Sequence, residues 1–240
     1  MKKLLVAVLS LALILGFTGC NNKKEDPNAK SEGVMTYAEY AAAELGSEVT
    51  IEAYVQAKQD WWQGAAQVYT QDGEGGYFLY NLACTEEEYA KLTVGTKIRV
   101  KGYKDAWAGE VEIVDGKFEI IEGNYVATPL DVTSLIGKAE LEAKQNLLVT
   151  FKGVTVLAYD ETGVAFVYKN AENKTDDLYF KVAKDGVEYE FCVEYYLCNE
   201  STDVYKAVEG LKVGDVVDLV GFLYWYNGPN LHTTSLTVSK

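Results

Sequence analysis

The fold of this chain is decided by the stretch Leu92-Thr-Val-Gly-Thr-Lys-Ile-Arg-Val-Lys-Gly102 and by its counterpart Leu211-Lys-Val-Gly-Asp-Val-Val-Asp-Leu-Val-Gly221. Each stretch has a leucine, a Val-Gly pair, a run in which apolar and polar residues alternate, and a closing glycine at the same distance. Alternation with a period of two predicts a half-buried β-strand. Two equally spaced copies in a chain of 240 residues predict an internal duplication.

The first copy carries further signals on both sides of this strand. Alternating or apolar runs predict strands at residues 48–55, 66–72, 77–80 and 109–114, with 118–121 extending the last. The glycine-rich stretch 73–76 supplies the turn between the second and third strands. Thr85 and Glu88 have the spacing of a capping box, which predicts a helix before the fourth strand. Thr36 and Glu39 have the same spacing and predict a separate helix over residues 35–45.

The second copy repeats this order with different loops. Its predicted strands are residues 147–156, 163–168 paired with 178–182, 189–196, 211–221 and 231–238. A short helix is predicted over residues 202–208, again before the Val-Gly strand. Both halves therefore predict five strands with one helix between the third and the fourth.

This element order is that of the OB-fold, a partly open Greek-key barrel. The Val-Gly strand resembles the fourth strand of that family, and Tyr69-Thr-Gln-Asp72 and Gly76-Tyr-Phe78 resemble its second and third strands. The resemblance is to secreted bacterial proteins with tandem OB-like domains, some of which accompany extracellular nucleases. It implies a mainly β chain of two tandem OB-fold-like five-stranded barrels with short helices. A pair of immunoglobulin-like sandwiches is the competing architecture, but such sandwiches lack a helix before the fourth strand.

The N-terminus has the pattern of an export signal. Lys2 and Lys3 precede an apolar run over residues 4–17, which is too short for a comfortable membrane span. Phe17-Thr-Gly-Cys20 resembles the lipobox of bacterial lipoproteins, which implies that Cys20 is lipidated. A lipid with two or three acyl chains would anchor the protein stably to the bacterial membrane on its extracytoplasmic side. The alternative is an ordinary secretory signal with an incidental cysteine.

The predicted organisation follows from these boundaries. Residues 1–19 form the signal peptide, and residues 20–34 form the lipidated cysteine and a flexible tether, because this stretch is too polar to bury a core. Residues 35–128 form the first OB-like domain with its N-terminal helix, and residues 129–240 form the second.

The residues that usually carry catalysis are sparse. The single histidine, His232, has no nucleophile motif around it, and the chain has no P-loop, no H-E-x-x-H and no paired C-x-x-C. We therefore predict no enzyme activity, no cofactor and no metal. The alternating Glu110 and Glu112 are interpreted as a solvated face of a strand rather than a carboxylate pair. The cysteines after Cys20 are interpreted as small buried side chains, with a disulfide between Cys192 and Cys198 left open.

Tryptophans and tyrosines point to a binding surface. OB-folds bind oligomers with the loops between strands 1 and 2 and between strands 4 and 5, and with the face of strands 2 and 3. The predicted ligand-binding residues on these elements are Trp61, Trp62, Tyr69, Tyr103, Lys104 and Trp107, with Trp225 in the matching loop of the second copy. A groove shared by Trp61, Trp62 and Trp107 is expected on the first domain. The alternative is that Trp61 or Trp62 plugs the barrel end and Trp107 packs against it.

Charge limits the ligand class. A formal net charge of -14 with a single arginine excludes nonspecific nucleic-acid binding driven mainly by counterion release. The predicted function is a membrane-anchored, noncatalytic module that binds an oligosaccharide or another extracellular polymer. One alternative is single-stranded nucleic-acid binding accessory to an extracellular nuclease, with local lysines at positions 58, 97, 101 and 104. The other is an envelope scaffold that contacts a protein partner.

Overall fold

The computed structural model of the chain describes residues 26–170 and 174–239. The predicted signal peptide and the predicted lipidation at Cys20 lie outside these residues. Within the described ranges, no helix has both the length and the apolar character needed to cross a lipid bilayer.

The first barrel closes in the OB-fold strand order. Its strands are β1 (Glu48–Lys58), β2 (Ala65–Gln71), β3 (Gly76–Ala83), β4 (Thr96–Trp107) and β5 (Glu110–Asn124). They pair in the closed order β1-β2-β3-β5-β4. The β3–β5 pair is parallel, and the other pairs are antiparallel.

The second barrel repeats this topology. Its strands are β6 (Leu130–Asp131), β7 (Leu148–Val156), β8 (Phe166–Tyr168), β9 (Leu178–Lys184), β10 (Val187–Val193), β11 (Val216–Trp225) and β12 (Pro229–Val238). Pairing of β7 with β9 closes the ring β7-β9-β10-β12-β11, and β6 and β8 are added at its edges. The β10–β12 pair is parallel, as β3–β5 is in the first barrel. The predicted tandem OB-like fold is confirmed, and the immunoglobulin-like alternative is wrong.

Short helices occupy the predicted places. Helix α1 (Tyr37–Ala42) precedes the first barrel, and α2 (Glu86–Lys91) and α3 (Asp203–Glu209) each lie before the fourth strand of their barrel. The capping boxes predicted for α1 and α2 are both formed. Two 3-10 helices, Thr133–Leu135 and Ala139–Lys144, join the barrels and were not predicted.

Each barrel has its own core, and a third cluster joins the two barrels. Strand residues alternate between the two faces of a sheet, so Val68 and Leu79 point into the first barrel while Tyr69 and Phe78 point outward. Phe222 of β11 covers this outward face, with its ring centroid 4.5 Å from that of Tyr69. The outer face of β2 and β3 is therefore buried against the second barrel.

Part of the predicted tether packs on the first barrel. Lys30 Nζ donates to Asp72 Oδ2 at 2.6 Å and to the carbonyl oxygen of Glu52 at 2.6 Å. The side chains of Lys30 and Asp72 are only 8% and 1% exposed. A buried carboxylate requires a hydrogen-bonding or charged partner. Lys30 is the charged partner of Asp72, and their ion pair holds the segment around Lys30 against the first barrel. Lys30 of the predicted tether therefore lies on the first barrel, whereas residues 31–33 are exposed.

Candidate ligand-binding cavity

The predicted first-domain groove is divided in the structure. Trp61 packs against the core of the first barrel, and its Nε1 donates to the carbonyl oxygen of Cys84 at 2.9 Å. Trp62, beside it, is 69% exposed. Trp107 is 57% exposed and lines a different cavity from Trp61. The three rings therefore do not share one groove, and Trp61 takes the packing role that was the alternative.

Two of the other predicted contact residues are buried in structural roles. Tyr69 is 1% exposed at the barrel interface. Lys104 Nζ donates to the carbonyl oxygens of Tyr40, Ala41 and Ala43 at 2.8–3.0 Å, and so caps the end of α1. Both assignments are corrected, because neither side chain is free to meet a ligand at the surface. Tyr103 remains partly exposed on β4.

Each of the four lysines near the predicted groove, at positions 58, 97, 101 and 104, already contacts an acceptor group of the protein. Lys58 donates to the carbonyl oxygen of Tyr89 and lies over its ring. Lys97 and Lys101 pair with Glu52 and Glu48 at 3.7 and 2.9 Å. With Lys104 engaged by α1, this group does not form a free cationic patch.

The predicted loops between strands 4 and 5 are tight turns. In the first barrel β4 continues to Trp107, and the turn consists of Ala108 and Gly109, with φ angles of 52° and 92°. Two successive positive φ angles are the signature of a type I′ hairpin, whose twist matches that of the strands. The expected loop over residues 103–109 is therefore mostly strand, which places Trp107 at its very end.

This turn packs against the equivalent turn of the second barrel. Asn227 N donates to the carbonyl oxygen of Ala108 at 2.7 Å. Trp225 lies so close to Gly109 that a Cβ there would meet its Cδ1 at 2.7 Å. The rings of Trp107 and Tyr226 lie 5.3 Å apart. Trp225 is therefore a packing residue of the junction, and Trp107 and Tyr226 form an exposed aromatic pair.

A cavity of about 470 Å³ lies beside this pair, on the outer face of the second barrel. Its aromatic wall consists of Trp107, Tyr159, Tyr179, Tyr224 and Tyr226. Tyr159 comes from the loop between the first two strands of this barrel's ring, and Tyr179 lies on β9. These are the elements that the OB resemblance implies for ligand binding, but they belong to the second copy and not to the first.

The parallel strand pair in each barrel shows why only one face is open. Phe78 pairs with Glu112 in the first barrel, and Cys192 pairs with His232 in the second. These pairs occupy the same position in the two topologies. Phe78 is covered by the second barrel, whereas Cys192 and His232 form part of the cavity floor.

His232 is held by the other barrel. Its Nδ1 lies 2.6 Å from the hydroxyl of Tyr69, which also accepts a hydrogen bond from Gln59 Nε2 at 3.0 Å. The ring of Tyr224 stacks on the imidazole at 4.3 Å. Burial lowers the pKa of His232 to about 4, so the ring is neutral at pH 7. On the same face of β12, Asn230 is 9% exposed, and its Oδ1 has no partner among the described residues.

Carboxylates outnumber cations around the cavity. Lys169 Nζ pairs with Asp177 Oδ2 at 2.9 Å, while Glu190 and Glu194 have no lysine partner in the described salt bridges. Glu194 Oε2 accepts from Leu197 N at 2.8 Å. Burial, with the nearby charge of Asp177, raises the pKa of Glu194 to about 8. The site is therefore aromatic and mildly acidic.

The cysteines offer no reactive group. Cys84, Cys192 and Cys198 are free and buried, which agrees with their interpretation as small buried side chains. Burial raises the pKa of the Cys192 thiol well above its usual range, which disfavours the thiolate. Within the described ranges, no group of three or more His, Cys, Asp or Glu side chains is placed to hold a metal ion.

The cavity floor was not predicted, because His232 and Asn230 are not among the predicted ligand-binding residues. Their two-residue spacing on a strand was the available signal, because it places both side chains on one face.

No protein-family model matches the chain, and no curated protein matches it. One similar solved structure is a murine DNA-binding protein bound with ds DNA, at 12% identity and a TM-score of 0.34, covering 80% of this chain and 98% of that one. Another is the p204 HINb domain, at 10% identity and a TM-score of 0.35, covering 82% and 100%.

Entamoeba histolytica asparaginyl-tRNA synthetase in complex with asparaginyl-adenylate is a third similar structure. It is 21% identical with a TM-score of 0.31, and the match covers 41% of this chain. This chain spans only 25% of the synthetase chain. All three are likenesses of fold between distant sequences.

Proposed function

We propose that this protein is a noncatalytic binding module that holds a neutral oligosaccharide segment in the cavity of its second barrel. The observation that carries the proposal is the exposed pair Trp107 and Tyr226 at the edge of a polar floor. One face of a sugar ring is a row of C–H groups that packs on a flat aromatic ring, while its hydroxyls bond to polar groups. Apolar walls with a few placed polar groups are the general form of ligand sites.

The charge of the site supports a neutral ligand. Asp177, Glu190 and Glu194 surround the cavity with one lysine among them. Asp177 is paired with Lys169, and Glu194 with its pKa of about 8 is protonated at pH 7, so Glu190 leaves the site weakly negative, with no unpaired lysine among its described residues for a polyanion. A neutral sugar can form hydrogen bonds with the same carboxyl groups.

Nucleic-acid binding is the second candidate. Trp107 and Tyr226 would also stack on bases, as aromatic platforms do in proteins that bind single strands. One of the similar structures reported above, the murine DNA-binding protein, is described as bound with ds DNA. The occupied lysines on the first barrel and the acidic cavity favour the sugar over this alternative. Contact with an envelope protein, for which Trp62 is exposed, is the third candidate.

The test is a fluorescence titration of the chain without its signal peptide and with Cys20→Ser, so that no lipid holds it to a membrane. Neutral polysaccharides and single-stranded oligonucleotides are compared at two salt concentrations. We expect salt-insensitive tryptophan quenching by a polysaccharide, lost in Trp107→Ala and retained in the matched control Trp62→Ala. Quenching only by oligonucleotides, with a steep salt slope, would favour the second candidate. No quenching by either polymer would favour the third.

The proposed location is the extracytoplasmic face of a bacterial membrane, with the lipid on Cys20. Support comes from the lipobox pattern at residues 17–20. Metabolic labelling with a fatty acid should mark the full chain and should fail with Cys20→Ala, while Cys84→Ala keeps the label.

A further inference from the structure

The hydrogen bonds to Tyr69 fix the proton on His232. Tyr69 has one hydroxyl proton, and its oxygen already accepts from Gln59 Nε2. Within the described residues, His232 Nδ1 is the one acceptor within reach of that proton, so in the bond of 2.6 Å Tyr69 donates and Nδ1 accepts. A neutral imidazole with an accepting Nδ1 carries its proton on Nε2. Because Nε2 lies on the far side of the ring from Nδ1, it faces away from Tyr69.

An acceptor lies beside this donor. Asn230 Oδ1 is buried without a partner among the described residues, and Asn230 and His232 both line the cavity. Alternate residues of a strand are about 6.5 Å apart along it and point to the same side. A buried amide oxygen without a donor costs free energy, so the site is incomplete until a donor reaches Asn230.

We propose that Asn230 and His232 recognise a secondary amide of the ligand, specifically the acetamido group of an N-acetylated sugar. This inference rests on the proposed function and names its substrate class. The carbonyl oxygen and the N–H of a trans amide point in opposite directions. One amide lying between a protein donor and a protein acceptor can therefore bond to both. The carbonyl oxygen accepts from His232 Nε2, and the N–H donates to Asn230 Oδ1. The Tyr224 ring keeps the imidazole in place by stacking on it.

The chain offers an unusually clean probe, because His232 is its single histidine. With ¹⁵N-labelled histidine, the two ring nitrogens give the tautomer directly. We expect the Nε2–H form at pH 7. Tyr69→Phe removes the donor to Nδ1 and should let the other tautomer appear, whereas Tyr103→Phe, on a partly exposed tyrosine of β4, should leave the spectrum unchanged.

Binding is then measured with chitotriose and with cellotriose, which differ in the acetamido groups. We expect chitotriose to shift the Nε2 resonance and to bind at least about tenfold more tightly, since a site built to hydrogen-bond a group rejects the analogue that lacks it. Asn230→Ala should abolish that preference while Trp107 quenching by either sugar persists.

The outcomes separate the two proposals. Equal quenching by both sugars without a shift of Nε2 would overturn the amide assignment and leave sugar binding intact. An Nδ1–H tautomer in the unmodified protein would also overturn it. Absence of both quenching and shift, with every sugar, would overturn both proposals.

Discussion

At the scale of single residues, each barrel buries carboxyl groups, and the interpretation of Glu110 and Glu112 as a solvated face is wrong, since the two residues are 0% and 5% exposed. Glu194 lies at the cavity with a pKa of about 8, and Glu112 of β5 is buried near Asp105 with a pKa of about 7. Both shifts arise first from burial and second from a neighbouring carboxylate. At neutral pH each carboxyl therefore binds more protons in the folded state than in the unfolded state.

This predicts a decline in stability as pH rises. A carboxyl whose folded pKa is raised stabilises the fold below its unfolded pKa of 4.5, and that contribution is lost as pH rises through the folded pKa of about 8. The lowered pKa of His232 acts in the opposite sense only between pH 4 and 6.5. We therefore expect the free energy of unfolding to fall between pH 6.5 and 8, and to fall less in Glu194→Gln.

Urea unfolding across this window measures the effect. Glu188→Gln, on an exposed residue of β10, is the matched control and should keep the slope of the unmodified chain. An identical slope in Glu194→Gln would contradict the assignment of the titration to Glu194.

At the scale of elements, the capping boxes and the hairpin turns are formed by near neighbours, but α1 depends on a distant lysine. Lys104 of β4 donates to three carbonyl oxygens at the end of α1, more than 60 residues earlier in the chain. Helix α1 has only six residues, so its own hydrogen bonds do not make it stable alone.

Lys104→Met should therefore detach α1 from the barrel without changing ligand binding at the cavity. We expect a loss of about 1–3 kcal/mol, because buried carbonyl groups lose their donor. Polysaccharide quenching of Trp107 should remain. Urea unfolding measures the loss of stability, and the fluorescence titration measures the quenching.

The control is Lys101→Met on the same strand. Lys101 pairs with Glu48 at the surface, and both side chains are at least half exposed. Such a pair contributes about 0–1 kcal/mol. If Lys104→Met abolished sugar quenching while the fold remained intact, the original assignment of Lys104 as a ligand contact would be restored.

At the scale of the whole molecule, the two barrels are joined by a small aromatic cluster. Tyr69 and Phe78 of the first barrel pack with Phe222 of the second, and Phe222 is 3% exposed. The bond between Tyr69 and His232 crosses the same interface. The first barrel therefore both contributes Trp107 to the cavity and orients His232 on its floor.

Phe222→Ala should weaken this joint. Removing a buried phenylalanine ring lowers the free energy of unfolding by about 3–5 kcal/mol. Because Phe222 lies between the barrels, part of this loss weakens the interaction between them. We expect the unmodified chain to unfold in one transition, and Phe222→Ala to unfold in two and to bind sugar more weakly. Tryptophan fluorescence reports mainly the first barrel, which contains Trp61, Trp62 and Trp107, and the histidine resonance reports the second.

Phe166→Ala, on the edge strand β8, is the control and should lower stability without separating the transitions. One coincident transition by both probes in Phe222→Ala would contradict the role of this cluster in joining the barrels.

The two barrels and the order of their elements can be predicted from sequence patterns alone. The Val-Gly strands, the glycine turns and the capping boxes at Thr36 and Thr85 act over a few residues, so their patterns can be read locally. The same patterns also placed Trp107 and Trp225 near the hairpin ends of their barrels.

The docking of the two barrels, by contrast, sets which outer face stays open. Tyr69 and Phe78 have the composition of a ligand surface, and nothing near them in the sequence shows that Phe222 covers them. His232 becomes a candidate binding residue only because Tyr69, 163 positions away, holds its Nδ1. Docking of two barrels depends on side chains far apart in the chain, and such contacts leave no local pattern to read.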